Sequence, residues 1–132
     1  MIAVDTNIIV RFLVRDDKRQ ANAVHKRLKR AEEKRERLFV PQAVLLETIW
    51  VLESAYDKSR AEILDAIGDM RQMPVFEFEK DGVVEHILNT GRSSKADLAD
   101  ILIAYSAQSC GCSAGITFDK AAAKLSFFSL LK

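Results

Sequence analysis

Cysteine is scarce, with two residues in a chain of 132, and both fall in Cys110-Gly111-Cys112. One intervening residue matches neither a redox C-x-x-C nor a zinc knuckle, and no further cysteine completes a ligand set. Two reduced thiols near a helix end are the expectation. Long apolar runs are also missing, since none approaches the ~18 residues of a membrane-spanning helix. The opening Met1-Ile2-Ala3-Val4-Asp5 has no basic segment followed by an apolar one, so no secretory signal is read there. A soluble cytoplasmic protein without a membrane partner is expected. Histidine is limited to His25 and His86. Both lie away from the acidic motifs described below, and surface positions without a catalytic role are expected for them. No internal repeat, low-complexity tract or linker interrupts the chain.

Apolar residues make up 48% and charged residues 30%, a globular balance. The length suits a single domain spanning 1–132, with enough chain for one full core. The net charge is only +1, but it is unevenly spread. Residues 15–37 hold ten Lys/Arg against five Asp/Glu, a local +5, which leaves −4 for the rest. A basic segment of this kind suits a polyanionic partner.

Along the chain, Ile2-Ala3-Val4 reads as a short strand ending at Asp5, and Thr6 and Asn7 can cap the helix that carries Ile8, Ile9, Phe12 and Leu13. Lys18 to Arg35 is amphipathic, with Ala21, Val24, Leu28 and Ala31 on one face. Leu38-Phe39-Val40 is a second strand, closed by Pro41. Gln42 to Tyr56 follows as a helix apolar almost all round, which predicts burial in the core or in a subunit interface, with Trp50 in one of those places. Ser59-Arg60-Ala61-Glu62 fits a capping box. Val75 to Glu79 alternates as a third strand, and Asp81 to Asn89 is a short helix that Gly91 can end. The next helix runs from about Lys95 to Ser109 and stops at Gly111. Ser113 to Thr117 is a fourth strand, Asp119 to Leu125 a small helix, and Phe127 to Leu131 a final strand. Strands alternating with helices predict a parallel α/β sheet, whose ligands bind outside the carboxyl ends of the strands.

Four acids, Asp5, Glu47, Asp100 and Asp119, stand out against this pattern, with Asp97 beside the third. Asp5 and Asp119 follow the first and fourth strands, where an α/β site is expected, although both also suit helix N-caps. Glu47 is the only charged residue between Ala43 and Leu52. A buried carboxylate there needs a cation partner, or else emerges at an edge. Asp97 follows Ser94 by three residues, which fits a capping box. Asp100, three residues later, lies past the expected first turn and precedes Ile101-Leu102-Ile103-Ala104, so it is either a solvated helix edge or part of a site. Clustered carboxylates raise one another's pKa, and a hard divalent cation removes that cost. The set lacks the His and Cys that zinc favours.

With Val4-Asp5-Thr6-Asn7, Leu46-Glu47-Thr48, Ala96-Asp97-Leu98-Ala99-Asp100-Ile101-Leu102-Ile103-Ala104 and Thr117-Phe118-Asp119-Lys120 in this order, the chain resembles the PIN-domain ribonucleases. Within them it resembles the VapC toxins of toxin–antitoxin pairs. The resemblance implies a three-layer α/β fold with a central, mostly parallel sheet of about five strands flanked by helices. It implies an endoribonuclease dependent on Mg²⁺ or Mn²⁺, usually a homodimer, neutralised by a VapB-type antitoxin. It assigns catalysis to Asp5, Glu47, Asp100 and Asp119, with Asp5, Asp100 and Asp119 as metal anchors. Asp97, Thr6, Asn7 and Thr117 are auxiliary. Metal ions in such a site polarise the scissile phosphate and activate a water. Lys18, Arg19, Lys26, Arg27, Lys29 and Arg30 on the basic helix, with Arg92 and Lys95, are candidate contacts to the RNA backbone, against a solvated helix face as the other reading.

Other readings fit less well. A haloacid-dehalogenase-type phosphohydrolase would want a second Asp at position 7, where Asn7 stands. A receiver domain would want a phosphoacceptor Asp after the third strand, which ends instead in Phe78-Glu79-Lys80-Asp81. A non-catalytic PIN-like scaffold would be marked by loss of one or more acids, and all four are present. A housekeeping PIN nuclease without an antitoxin is the remaining alternative.

Overall fold

The computed structural model describes residues 1–132. It holds six α-helices and five short strands. The chain divides into two compact units, Met1–Asp81 and Gly82–Lys132.

The first unit is built on β1 (Ile2–Ala3), β2 (Leu38–Val40) and β3 (Phe76–Phe78). They pair in parallel in the order β1-β2-β3, with Leu38 opposite Ile2 and Phe76 opposite Leu38. Two helices connect each strand to the next: α1 (Thr6–Leu13) and α2 (Lys18–Glu33), then α3 (Gln42–Ser54) and α4 (Arg60–Gln72). Strands this short alternate cleanly, so Leu38, Val40, Phe76 and Phe78 are buried while Phe39 and Glu77 are half-buried. The core beneath them gathers Ile9, Ile49, Ile63, Leu64 and Ile67, each at most 2% exposed. Helix α2 contributes Val24, Leu28 and Ala31, the expected face.

Local chemistry sets the helix boundaries. Asp17 caps α2 by accepting from Gln20 N at 3.0 Å. The box at α4 is complete: Glu62 N donates to Ser59 Oγ at 3.2 Å, and Ser59 N donates to Glu62 Oε1 at 3.0 Å. Helix α3 departs from expectation. It is not buried all round, because Ala43, Glu47, Trp50 and Ser54 are exposed along one stripe, Trp50 at 64%. Trp50 is therefore not a core residue. The apolar run hides an ordinary two-faced helix whose outer face carries an indole and a carboxylate.

The second unit contains all but the first residue of α5 (Asp81–Ser93), with α6 (Leu98–Ser109), β4 (Gly115–Thr117) and β5 (Phe128–Leu130). Strands β4 and β5 pair in parallel as a separate two-stranded sheet. Five strands are thus present, in one sheet of three and one of two rather than in a single sheet. Gly91 does not end α5. It is buried inside the helix, and Ser94 N still donates to Thr90 O at 2.9 Å. Gly111 does end α6, at φ +93°. Cys112 N donates to Ala107 O at 3.1 Å and Gly111 N to Gln108 O at 3.0 Å, the paired closing bonds of a Schellman turn. Cys110 and Cys112 are free, exposed thiols on that turn. The helix expected over Asp119 to Leu125 shrinks to one 3-10 turn, Ala122–Lys124.

Candidate active site

In the first unit, Asp5 follows β1 and occupies the N-cap of α1. Its Oδ1 accepts from Thr6 N at 2.7 Å. The cap reading and the strand-end reading therefore both hold, since the bond occupies one oxygen of the carboxylate. Thr6 is buried while Asn7 is exposed. One turn into the exposed stripe of α3 stands Glu47, which has no ion pair to a Lys or Arg. Burial does not compel it to find a partner, because the side of α3 that carries it is open. Asp5, Thr6, Asn7 and Glu47 line one open cavity of about 330 Å³ together with Val10, Arg11, Val51, Ala55 and Tyr56.

Arg11 was not singled out by the sequence, yet it is the only basic residue lining that cavity. Its position four residues after Asn7, on the same helical face, is the one local signal that points there. Its partner Tyr56 is 45 positions away, a relationship no local pattern reveals.

In the second unit, the acidic helix starts later than expected. Helix α6 begins at Leu98, with Asp97 at its N-cap. The anticipated Ser94–Asp97 capping box does not form. Ser94 Oγ accepts instead from Ala96 N at 3.1 Å, and the Asp97 side chain makes no capping bond. Asp100 consequently lies in the first turn rather than past it. Carboxylates at such a position are normally favoured by the helix dipole. Here that benefit is outweighed. Burial pushes the Asp100 carboxyl above the usual range, and the like charges of Asp97 and then Asp119 push it further. None of the three acids is in an ion pair. Leu98, Ile101, Leu102 and Ala104 anchor the helix, while Ile103 is 47% exposed.

Asp119 closes a tight local structure after β4. Its N–H donates to Thr117 Oγ1 at 3.0 Å, and its Oδ1 accepts from Ala121 N at 2.8 Å. Thr117 thus supports the acid through its backbone. These local bonds also explain the lost helix, because an Asp that bonds two residues ahead offers the backbone an alternative to helical pairing.

Within neither unit do three His, Cys, Asp or Glu side chains stand close enough to hold a metal ion by themselves. The donor chemistry nevertheless fits a hard divalent cation. Every candidate ligand is a carboxylate, and the crowding felt by Asp100 is the cost such a cation removes.

Of the basic candidates, Lys18, Arg19, Lys26, Lys29 and Arg30 are exposed on α2. At roughly 100° per residue they fall on the face opposite Val24, Leu28 and Ala31. Arg27 is committed to an ion pair with Glu36. Arg92 and Lys95 are exposed near the start of the acidic segment. His25 is exposed, its ring 3.4 Å from Arg15 Nη2. His86 is not a free surface residue: it stacks on Tyr105 with ring centroids 4.1 Å apart. No helix is long and apolar enough to cross a membrane.

Comparison with known proteins bears on the family. A family model described as the PIN domain matches residues 2–127. The protein named VapC ribonuclease from Aquifex aeolicus (strain VF5) is 22% identical over 127 residues, covering 96% of this chain and 93% of that protein. A parallel α/β architecture, acids after β1 and β4 and on α3 and α6, and a family match over nearly the full length lead to one assignment: the chain belongs to the PIN-domain family.

Proposed function

We propose that this protein is a divalent-metal-dependent endoribonuclease and the toxin of a VapBC-type pair. The observation that carries the reading is that Asp97, Asp100 and Asp119, three acids of one small unit, have no ion-pair partner although Asp100 is half-buried in the first turn of α6. A fold has little reason to gather like charges without ion-pair partners unless a cation or its equivalent answers them. Family membership and the VapC-named relative support the nuclease class.

Asp5, Asp100 and Asp119 are the residues assigned to hold Mg²⁺ or Mn²⁺. When bound, the ion supplies Lewis acidity toward the scissile phosphate and the leaving oxygen. Glu47 orients the attacking water, and its place on an open helix face leaves room for that water. Thr117 holds Asp119, Thr6 N–H fixes one oxygen of Asp5, and Asn7 and Asp97 act from the rim. Attack by water leaves 5′-phosphate and 3′-hydroxyl ends. Neither histidine is assigned a proton-transfer role, in keeping with a route that does not use the 2′-hydroxyl. The basic face of α2 tracks the RNA backbone. The chain works in the cytoplasm as one domain and as a homodimer, held inactive by a VapB-type antitoxin.

The test is cleavage of RNA by the purified protein with Mg²⁺ or Mn²⁺, stopped by EDTA and abolished in Asp100→Asn with the circular dichroism spectrum unchanged. Undiminished cleavage by that variant sinks the site. Cleavage indifferent to chelator sinks the metal requirement. Co-purification of a small protein encoded beside this one decides for the toxin over a housekeeping nuclease.

A further inference from the structure

The cavity that holds Asp5 and Glu47 poses an electrostatic problem for a nuclease. A phosphodiester carries a full negative charge and is repelled by two carboxylates at close range. Arg11 is the only Lys or Arg lining that cavity, and its side chain is 25% exposed.

The guanidinium is held with unusual care. Nε donates to Gln20 Oε1 at 2.6 Å, and Nη1 donates to Asp16 Oδ1 at 2.8 Å and to Tyr56 Oη at 2.9 Å. Tyr56 Oη in turn donates to Asp16 Oδ2 at 2.9 Å, which closes a ring of three side chains. Neither Asp5 nor Glu47 takes part, and Nη2 has no partner in the protein. A guanidinium fixed on one side and open on the other is pre-organised to receive an anion.

We propose that Arg11 is a phosphate-binding residue, whose free Nη2 edge grips the backbone of the RNA strand beside Asp5 and Glu47. The inference rests on the nuclease reading for its substrate. The bland rival is a staple that merely joins the end of α1 to the start of α2 and the end of α3.

The decisive probe is a fluorescent single-stranded RNA oligonucleotide bound in EDTA, where cleavage plays no part. Affinity is measured by anisotropy from 50 to 300 mM salt. Arg11→Gln is expected to bind about 5- to 10-fold more weakly at low salt, with the log–log salt slope smaller by about 0.7, the value of one lost phosphate contact on a single strand. Arg11→Lys keeps the slope. Tyr56→Phe, which loosens the guanidinium without removing its charge, also keeps it. A slope unchanged in Arg11→Gln overturns the proposal. A loss in Tyr56→Phe as large as in Arg11→Gln also overturns it, in favour of the staple. Should Arg11→Gln fail to fold, the Arg11 Nε–H NMR signal of the wild-type protein, assigned by its loss in Arg11→Lys, decides: movement on adding the RNA supports the contact and an unmoved signal ends it. Wild-type protein that binds RNA with the slope difference but cleaves nothing sinks the nuclease reading and keeps the contact. Metal-dependent cleavage with equal slopes does the reverse. No RNA binding by the wild type sinks both.

Discussion

Asp97 and Asp100 stand at the N-cap and in the first turn of α6, close enough for the charge of Asp97 to hold the proton on Asp100 to higher pH. Burial is the larger cause, and Asp119 adds to both. The folded chain therefore keeps this proton to higher pH than the unfolded chain does. Above the ordinary value of 3.8 and up through the raised one, rising pH progressively exposes a destabilising charge. Asp100→Asn removes it. In EDTA at pH 7 this variant is expected to melt about 1–4 °C above wild type, a shift that corresponds to less than or about 1 kcal/mol. The gap should close as pH falls below the carboxyl range. Thermal melts from pH 3.5 to 7.5 check this, and a variant less stable than wild type at pH 7 contradicts it.

The same acids should reverse their effect when a cation is supplied. A metal that binds only the folded state stabilises it by about 2.7 kcal/mol at 100-fold over its Kd. Added Mn²⁺ is expected to raise the melting temperature of the wild-type protein and to leave Asp100→Asn and Asp119→Asn nearly unmoved. Cleavage in both variants should fall by at least about 100-fold, since changes even one shell beyond a metal commonly cost 10- to 100-fold. Equal Mn²⁺-induced shifts in all three proteins would remove these residues from the metal site.

The sequence made local devices legible and long-range ones opaque. The box at Ser59 and Glu62 and the stop at Gly111 depend on residues a few positions apart, and both formed as read. The box at Ser94 has the same spelling but failed. Ser94 Oγ found the nearer Ala96 N, and the helix began three residues later than expected. Gly91 looked like a terminator, yet it is buried within α5, where packing outweighs its propensity. Trp50 in an apolar run reads as core or subunit interface; the run lies on a helix whose sides differ in exposure, which removes the core reading and leaves the interface one. Strand pairing is decided by partners far along the chain, so the division into sheets of three and two could not be read from short alternating segments. At the candidate site, the four acids stand out by their places after strands or within apolar helices, and the structure keeps those places, after β1 and β4 and on α3 and α6; their union in one site is the proposal. Arg11 was missed because it is defined by Tyr56, Asp16 and Gln20 together rather than by any pattern of its own.

The basic face of α2 should act through charge alone. Lys18, Arg19, Lys26, Lys29 and Arg30 are exposed, whereas Arg27 is paired with Glu36. Replacing Lys26, Lys29 and Arg30 together by Gln is expected to weaken RNA binding uniformly across sequences. The salt slope should drop by about 2, or roughly 0.7 per phosphate contact on a single strand. Arg27→Gln should change the slope little, because its guanidinium is already committed. Binding titrations over a salt series on two unrelated RNA sequences test this. An unchanged slope in the triple variant would make this face merely solvated.

Two glycines in the second unit allow a final test of what holds β4 in place. At Gly111 an added Cβ meets nothing within 4 Å, so only the φ of +93° resists substitution. Gly111→Ala should cost about 1 kcal/mol, the penalty for placing a side chain in the left-handed region. Gly115 faces the opposite constraint. Its backbone imposes no such strain, but a Cβ would lie 2.7 Å from Phe127 Cε2 and 2.9 Å from Phe128 Cδ1 and Cε1. Phe127 is buried, and the two rings pack edge to face with centroids 5.1 Å apart. Buried as it is, Phe127 has little free space into which to swing aside. Gly115→Ala should cost about 1–3 kcal/mol, as overpacking does, and should loosen the strand that leads into Thr117 and Asp119. Urea unfolding of both variants checks the ranking. Cleavage should fall further in Gly115→Ala than in Gly111→Ala, because only the first displaces the strand carrying the acid.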